Sequence, residues 1–316
     1  MSDTSSLPAS ADHVLLSLNP KAGRRSAARR VDRLVELLRG KQYKVNRYTD
    51  LAEVSAEANR LHAERRLRAL VGVGGDGTAA ELTNRTDPGV PLTLLAAGTA
   101  NLLAKHLRLS GKPDRLCQTI AAGRLLRLDA GRANGRLFLV VLGCGFDADV
   151  VQRVHNHREN NPQGAHISYL SYLKPILRSI RSYQYPEIQV YCDPSPDQAA
   201  EDQPPPITAR WAFVCNLPRY GWGLPLAPQA DGGDGSLDLC TFRRGSLLRG
   251  LGYAAAAQLG GSHRRLRDCV LRQGQRFRMT SEEPVEYELD GDPGGMLPLE
   301  VETVPNRLTV VVPPSD

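Results

Sequence analysis

The residues best suited to chemistry are the glycines and the single carboxylate of Val71-Gly72-Val73-Gly74-Gly75-Asp76-Gly77-Thr78. This segment follows an apolar stretch and opens a helical one, so its backbone N–H groups would favour a bound anion. Its glycines satisfy the GxGxxG dinucleotide pattern, which is a weak signal by itself. Asp76 would repel a pyrophosphate here unless a cation lay between them. The segment therefore predicts a Mg²⁺-nucleotide site or a carboxylate that takes part in the reaction; a glycine turn capped by Asp76 is the alternative.

Two further turns have the same character. Asn19-Pro20-Lys21-Ala22-Gly23 follows the first predicted strand, and Ala97-Gly98-Thr99-Ala100-Asn101 follows the fourth. In a doubly wound parallel sheet such turns emerge at the carboxyl edge of the strands, where ligands bind. Each turn alone is compatible with ordinary turn chemistry, but together with the segment around Asp76 they favour a phosphate-binding edge.

The elements that position these turns alternate between strand and helix. Apolar runs predict strands at His13–Leu18, Lys44–Tyr48, Ala69–Val73 and Leu92–Leu95. Helical periodicity predicts helices at Ser26–Arg39, Leu51–Arg66, Thr78–Thr86 and Asn101–Leu107. Short apolar strands that alternate with helices indicate a parallel sheet with helices on both sides.

The pattern changes near Leu125, after which short strand-like runs separated by turn residues are typical of an antiparallel β domain. The predicted strands are Leu125–Asp129, Leu137–Leu142, Ile188–Tyr191, Ala209–Asn216, Leu237–Phe242, Val270–Leu271, Arg276–Thr280, Val285–Leu289 and Leu308–Val312. Helices are predicted at Ile167–Ser182 and Leu247–Leu259, and a disordered hairpin loop at Asp193–Pro206. Met1–Asp12 is predicted to be a loose polar tail rather than a secretory signal.

The sequence resembles a known family, the catalytic domain shared by diacylglycerol, sphingosine and ceramide kinases, in its bacterial soluble form. The resemblance covers roughly residues 13–312 and follows the family's order of motifs. Its motifs are Asn19-Pro20 with Gly23, Gly74 to Thr78 followed by Glu81 and Asn84, Gly98-Thr99-Ala100-Asn101, Gly145-Phe146-Asp147-Ala148, Asp234-Gly235, and Asp290-Gly291-Asp292. The glycine-aspartate motif is shared with NAD kinases and phosphofructokinases, whereas the whole set is specific to the lipid kinases.

The resemblance implies an α/β ATP-binding domain, doubly wound and spanning residues 13–126, joined to an antiparallel β-sandwich lipid-substrate domain of residues 127–306. The segment 307–316 would return to the first domain, and the active site would lie in the cleft between the two. The implied activity is transfer of the γ-phosphoryl group of ATP to a hydroxyl of a membrane lipid, with Mg²⁺ as cofactor.

The resemblance also implies roles for single residues. ATP would be held by Asn19, Thr49, Gly74, Gly75, Asp76, Gly77, Thr78 and Thr99. Asp76 would face the γ-phosphate through Mg²⁺ or orient the substrate hydroxyl. Asp231, Asp234 and Ser236 match a cation site, with Asp234 as the side-chain ligand, although Asp231–Gly235 also reads as a plain turn. Asp147 and Asp149 would meet the lipid head group.

The base is expected in the last acidic motif. The family's usual motif is Asp-Gly-Glu, whereas this chain has Asp290-Gly291-Asp292, whose final side chain is one methylene shorter. A base must lie within about 2.6–3.2 Å of the proton that it removes. Asp292 occupies the position of the family's glutamate and is the preferred candidate, and Asp290 is kept as the second.

Charge and composition indicate the setting. The chain has 41% hydrophobic residues and a net charge of +6, with arginine clusters around residues 24–33, 60–68 and 264–267. Such clusters would attract an anionic membrane surface, or else form solvated helix faces, and they lack the stacking aromatics of nucleic-acid modules. The longest apolar run, Leu137 to Phe146, is shorter than the roughly 20 residues of a membrane span. We expect a cytoplasmic protein, peripheral at the inner face of the membrane, that binds no nucleic acid.

The cysteines and histidines predict no metal site. The six cysteines include no CxxC pair and are interpreted as small buried hydrophobes in a reducing compartment. His155, His157 and His166 surround a stretch that is typical of a solvated lid loop. Two alternatives to a lipid kinase stay open, a soluble-substrate kinase related to NAD kinases and a catalytically inactive lipid-binding protein.

Overall fold

The structure is a computed structural model that describes residues 4–8, 10–18, 25–98, 100–159, 183–193, 205–221 and 223–314. The chain forms two compact units, Met1–Ala130 with Pro305–Asp316, and Gly131–Val304. Two strands, β6 (Arg124–Ala133) and β17 (Leu299–Val312), each contribute residues to both units. The predicted helix Ile167–Ser182 and most of the proline-rich segment Asp193–Pro206 lie outside the described residues.

The first unit is an α/β fold around a parallel sheet. Its strands are β1 (Thr4–Ser6), β2 (His13–Leu18), β3 (Lys44–Tyr48), β4 (Leu67–Gly74) and β5 (Pro91–Ala96). Its helices are α1 (Arg25–Gly40), α2 (Leu51–Ala63), α3 (Asp76–Arg85), α4 (Leu102–His106) and α5 (Pro113–Ala122). The strands lie in the order β5-β4-β2-β3, and the carboxyl-terminal part of β17 pairs parallel with β5.

The predicted helical stripe of α1 forms part of the core of this unit. Its four apolar members are at most 4% exposed and pack with β2, β4 and α5: Val31, Leu34, Val35 and Leu38. Two expectations are wrong here. Residues 4–6 are not a loose tail, because Ser5 pairs with Leu125 of β6 in an antiparallel ladder. Helix α5 was not predicted, although Pro113 is in the first turn and Gly123 adopts the left-handed conformation at its end.

The second unit is a β-sandwich. Its further strands are β7 (Arg136–Phe138), β8 (Val141–Gly145), β9 (Ile188–Cys192), β10 (Ile207–Ala209), β11 (Trp211–Cys215), β12 (Leu237–Phe242), β13 (Cys269–Gly274), β14 (Arg276–Thr280), β15 (Glu286–Leu289) and β16 (Asp292–Met296). One sheet has the order β13-β12-β11-β8-β15-β16, and the other β10-β9-β14-β17. Buried apolar side chains from both sheets form one cluster. The predicted combination of an α/β domain and an antiparallel β-sandwich is therefore confirmed.

The described residues of the second unit include two α-helices, α6 (Phe146–Glu159) and α7 (Leu247–Gln258). The sequence predicts α7 but not α6, and His155 and His157 lie on α6 rather than in the expected lid loop, whereas His166 lies outside the described residues. Helix α6 forms because Phe146, Val150 and Val154 share one face and pack together with Tyr185. Among the described residues, no helix combines the length and hydropathy needed to cross a membrane.

Candidate active site

The first unit brings two of the predicted turns into contact. Strands β4 and β5 end side by side, and the Ala97 N–H donates a hydrogen bond to the Gly74 carbonyl at 2.9 Å. The backbones of Gly75 and Gly98 touch, since a Cβ on Gly98 would stand 2.7 Å from the Gly75 Cα. A side chain on Gly98 would collide with the facing backbone, and one on Gly75 would be tight at 3.1 Å from the Gly98 Cα, so the two turns present bare backbone at the carboxyl edge of the sheet. The third turn, with Asn19, lies outside the described residues, as does Thr99.

Two polar side chains fix the shape of these turns. The Thr78 hydroxyl packs over Gly74, where an added Cβ would collide with it. Asn101 adopts a left-handed conformation with φ of 50°, and its side chain accepts from the Gly98 N–H at 3.0 Å and donates to the Gly98 carbonyl at 2.8 Å. At the start of α3, the N-cap is Gly75, which has no side chain to occupy the first N–H groups of the helix.

Asp76 joins the two turns. Its carboxylate accepts hydrogen bonds from the Leu102 and Leu103 N–H groups, both at 2.9 Å, and so caps α4. Burial raises the pKa of Asp76, and the two backbone N–H donors oppose that effect. The geometry gives Asp76 a structural contact in addition to its predicted role at the γ-phosphate, which stays a prediction.

Thr49 lies at the same edge of the sheet but further along it. It is exposed directly after β3, and β2 separates β3 from β4. The next residue, Asp50, caps α2 by accepting from the Ala52 and Glu53 N–H groups at 2.7 and 2.9 Å. The structure therefore does not bring Thr49 into contact with the two glycine turns.

In the predicted cation segment, the aspartate carboxylates already accept hydrogen bonds. Asp231 accepts from the Gly233 N–H at 3.2 Å, and Asp234 accepts from the Ser236 N–H at 3.0 Å. The other Asp234 carboxylate oxygen accepts from the Gln273 amide at 2.7 Å. Both aspartates are exposed, so a cation would have to share oxygens that already accept hydrogen bonds. The metal role of Asp231, Asp234 and Ser236 stays a prediction.

Asp290 and Gly291 form the two-residue turn of the β15–β16 hairpin. Their φ angles are 52° and 88°, which is the geometry of the tight turn that suits a twisted hairpin. The Asp290 carboxylate accepts from three backbone N–H groups, those of Leu139 at 2.7 Å, Val140 at 2.8 Å and Val141 at 3.0 Å. These bonds explain why the predicted strand Leu137–Leu142 is split into β7 and β8.

Asp292 lies beyond that turn, at the first position of β16 and opposite Leu289. Its side chain is partly exposed, whereas Asp290 would have to give up hydrogen bonds from the backbone before it could take a proton. The chain thus separates the two candidate bases by environment. The hydrogen bonds of Asp290 hold the turn in place, and the role of Asp292 or Asp290 as the base stays a prediction.

Sequence reasoning missed Glu288, which forms a buried acidic pair with Asp147. A Cβ on Gly143 would stand within 2.9 Å of the Glu288 Oε1 and would collide with the Asp147 carboxylate, so both acids converge on this glycine. Tyr220 donates to Asp147 Oδ2 at 3.2 Å, and the Gly291 N–H donates to Glu288 Oε2 at 2.6 Å. Asp147 Oδ1 and Glu288 Oε1 are buried without a hydrogen-bond partner in the described structure.

Burial raises the pKa values of both acids of this pair. It raises the pKa of Asp147 from 3.8 to about 6, and it raises the pKa of Glu288 well above its ordinary value, with the charge of Asp147 as the second cause. Asp290 and Asp292 also raise the pKa of Glu288, so the acids of the hairpin and of α6 influence one another. Asp149 differs, because its carboxylate is paired with Arg153 at 2.8 Å.

The two units together define a class. A parallel-sheet domain with glycine turns at its carboxyl edge and a β-sandwich with buried acids are the parts of a nucleotide-dependent kinase fold. The diacylglycerol kinase catalytic domain model matches residues 13–133, and the model of the YegS C-terminal NAD kinase beta sandwich-like domain matches residues 140–312. The chain therefore carries a diacylglycerol kinase catalytic domain at residues 13–133, and over residues 140–312, more than half of its length, it belongs to the family of the YegS C-terminal NAD kinase beta sandwich-like domain.

Similar proteins agree with that membership. The diacylglycerol kinase of Bacillus subtilis is 23% identical over 301 residues, covering 93% of this chain and 94% of the relative. The crystal structure of a diacylglycerol kinase from Bacillus anthracis has a TM-score of 0.65 at 17% identity and covers 96% of this chain and 97% of its own. An NAD kinase from Archaeoglobus fulgidus, solved in complex with ATP, has a TM-score of 0.51 at 11% identity and covers 95% and 92%. At these identities the two structures show the fold alone.

Proposed function

We propose that this protein is an ATP-dependent lipid kinase, which transfers the γ-phosphoryl group of ATP to a hydroxyl of a membrane lipid such as diacylglycerol or a sphingoid base. The observation that carries the proposal is the contact between Gly75 and Gly98. It leaves a stretch of bare backbone at the carboxyl edge of a parallel sheet, next to the start of a ten-residue helix. A side chain on either glycine would fill the place where phosphate oxygens could approach N–H groups.

We propose that the segment Gly74–Thr78 binds the phosphates of ATP through its N–H groups and the start of α3. Asn19, Thr49 and Thr99 are further candidates from the family's motifs, although Thr49 does not contact the two glycine turns. Asp231, Asp234 and Ser236 offer oxygens of the kind that Mg²⁺ prefers. Bound ATP and Mg²⁺ would supply the phosphoryl group and neutralise its charge, and the chain's own residues would position it.

Asp292 is the proposed base. It is a partly exposed carboxylate held by a hairpin turn whose Asp290 is anchored to three backbone N–H groups. We assign Asp290 to positioning and Asp292 to removal of the hydroxyl proton. Asp147 and Asp149 are proposed to meet the lipid head group. Because the acceptor is a membrane lipid, we place the protein in the cytoplasm and at the inner face of the membrane.

The NAD kinase alternative is favoured by one observation, the similarity of the β-sandwich to that of NAD kinases. One assay separates the candidates. The protein is incubated with Mg²⁺ and γ-labelled ATP together with vesicles of mixed lipids, and in parallel with NAD. Label in the organic phase supports the lipid kinase, and label on NAD supports the alternative. Absence of label in both, with vesicles still bound, would identify a lipid-binding protein without catalysis.

A further inference from the structure

Helix α7 exposes an apolar stripe to solvent. Leu248 and Leu251 are 80% and 59% exposed, and Leu259, directly after the helix, is 74% exposed. The spacing of these leucines places them on one face of the helix. The opposite face is the packed one, because Tyr253 is buried and stacks on Phe242 with ring centroids 4.2 Å apart. The stripe therefore needs an explanation other than packing within the unit.

Arginines surround this stripe. The segment Arg243–Arg267 contains neither Asp nor Glu, and its six arginines are all exposed: Arg243, Arg244, Arg249, Arg264, Arg265 and Arg267. Asp268 lies at the edge of the group, 3.5 Å from Arg244 and 3.9 Å from Arg249. Leu266, which is 38% exposed, stands among the last three arginines. We call the four leucines and six arginines the α7 surface.

The basic cluster around residues 60–68 is different. Arg60 is paired with both Glu57 and Glu64, and Arg66 is paired with Glu64. Arg68 is buried and donates to the Ile120 carbonyl at 2.8 Å and to the Ala121 carbonyl. These arginines are engaged within the first unit. The α7 surface instead combines exposed cations with exposed leucines.

We propose that the α7 surface docks the protein on an anionic phospholipid bilayer. The arginines match the negative surface potential of such a membrane, and the leucines would enter the boundary between head groups and acyl chains. The inference rests on the proposed function, since a lipid kinase must reach an acceptor that stays in the bilayer. The inference identifies the surface of the protein that contacts the bilayer.

The test is cosedimentation of the full chain with vesicles of phosphatidylglycerol and phosphatidylcholine, and with vesicles of phosphatidylcholine alone. Each arginine near an anionic surface is worth about fivefold in partitioning. The double variant Arg264→Glu/Arg265→Glu should therefore bind anionic vesicles at least about 30-fold more weakly. The matched control, Arg39→Glu/Lys41→Glu, makes the same change in net charge at exposed positions of the first unit and should bind like the wild type.

A second variant tests the leucines. Leu248→Glu/Leu251→Glu replaces exposed side chains, so it should fold and yet lose vesicle binding. Equal binding of the wild type to both kinds of vesicle, or normal binding by both double variants, would overturn the inference. Kinase activity on short-chain diacylglycerol in detergent micelles is measured for the same proteins. Activity on micelles without vesicle binding would refute the docking surface alone, whereas vesicle binding without activity on any lipid would refute the proposed function alone.

A separate observation concerns a buried cluster of Cys240, His263 and Cys269. Their sulfur and ring nitrogen atoms all lie within 4.8 Å of one another. Cys240 and Cys269 belong to the neighbouring strands β12 and β13, and His263 lies in a short 3-10 helix, Ser262–Arg265. Cys240 and His263 are completely buried, and Cys269 is partly exposed. The cluster has no CxxC spacing, because Cys240 comes from β12 while His263 and Cys269 lie close together later in the chain.

The tautomer of His263 supports a ligand role. Its Nε2 lies 2.9 Å from the Leu226 carbonyl oxygen, which can only accept, so Nε2 carries the proton. Nδ1 therefore has a lone pair, and this atom is buried without a hydrogen-bond partner in the described structure. A histidine that donates one ring N–H to a backbone carbonyl keeps its other ring nitrogen available for a metal, as metal-ligating histidines commonly do.

We propose that these residues bind a thiophilic d¹⁰ cation such as Zn²⁺. Two thiolates and one imidazole would coordinate the cation, and the two thiol protons would be released to solvent. Water would be the fourth ligand of the cation, entering from the side of the partly exposed Cys269. The ligand atoms would have to move closer, since Zn–S and Zn–N bonds are about 2.3 and 2.0 Å long.

The probe is Zn²⁺ itself. After dialysis against Zn²⁺ under reducing conditions, the wild type should retain one equivalent, and Cys240→Ala and Cys269→Ala should retain none. The control Cys215→Ala removes another buried thiol of the same sheet and should retain Zn²⁺. Alkylation of the native wild type, read by mass spectrometry, should show the partly exposed Cys269 thiol protected when Zn²⁺ is present and reactive when it is removed, a comparison that does not depend on any variant folding. Wild type without Zn²⁺, a Cys240–Cys269 disulfide under those conditions, or unprotected thiols would overturn the proposal.

Discussion

The buried pair of Asp147 and Glu288 should make stability fall as pH rises, and Asp147→Asn should remove the part of that fall that Asp147 causes. Asp147 ionises near pH 3.8 in the unfolded chain and near 6 in the folded one. Below about pH 4 it is protonated in both states and costs nothing. Above pH 6 it is ionised in both states, and the folded state bears the full cost of a buried charge. A pKa raised from 3.8 to about 6 corresponds to about 3 kcal/mol.

The assay is urea unfolding of the wild type and Asp147→Asn between pH 4 and 8. The difference in unfolding free energy between the two proteins removes the contributions of acids distant from Asp147 and reports Asp147 together with its effect on Glu288. We expect the variant to equal the wild type near pH 4 and to exceed it by up to about 3 kcal/mol above pH 6. Glu288, whose pKa is also raised, should extend the decline of the wild type above pH 6.

The control is Asp149→Asn, two residues further along α6. Its carboxylate is paired with Arg153, so its loss should destabilise the protein at neutral pH rather than stabilise it. A difference in unfolding free energy between Asp147→Asn and the wild type that does not change with pH would refute the reasoning. It would mean that the pKa of Asp147 is the same in the folded and the unfolded protein.

The remaining predictions concern the proposed catalytic machinery. Gly98→Ala should abolish kinase activity and weaken ATP binding in calorimetry by at least about tenfold, since its Cβ would meet the Gly75 backbone. The control Gly40→Ala, at the end of α1 with open space around it, should behave like the wild type. Equal ATP binding by both variants would contradict the assignment of the glycine turns to ATP binding. Asp290→Asn should lower the unfolding free energy by about 1–3 kcal/mol, because an amide N–H₂ would face backbone donors, and unchanged urea unfolding would contradict its role in the turn. Asp292→Asn should lower kcat by about 10²–10⁴-fold with little change in the KM for ATP, and Asp292→Glu should be active; a normal kcat for Asp292→Asn would exclude it as the base.

The sequence was informative where the signal was local. The alternation of apolar strands and helical stripes predicted the parallel sheet, and the glycine motifs predicted turns at its edge, where Gly75 and Gly98 indeed meet. Such features depend on spacing along the chain, and spacing is what a single sequence shows. The site roles of these residues remain predictions until they are measured.

Features that depend on distant partners were not visible. Glu288 looks like an ordinary polar position of a strand, and only the fold places it beside Asp147 under α6. The split between β7 and β8 has the same origin, because the Asp290 carboxylate takes the backbone N–H groups of residues 139–141 from more than a hundred residues away. Helix α6 was missed since its acids and histidines obscure the apolar face that Phe146 and Val150 bury.

The central claim is transfer of a phosphoryl group from ATP to a lipid hydroxyl. It is tested most directly by ³¹P NMR of the wild type incubated with Mg²⁺, ATP and short-chain diacylglycerol in micelles. The account predicts a new phosphate monoester resonance that extracts with the lipid and grows in step with ADP. ADP accompanied only by inorganic phosphate, or unchanged ATP with diacylglycerol and with sphingoid bases alike, would contradict it.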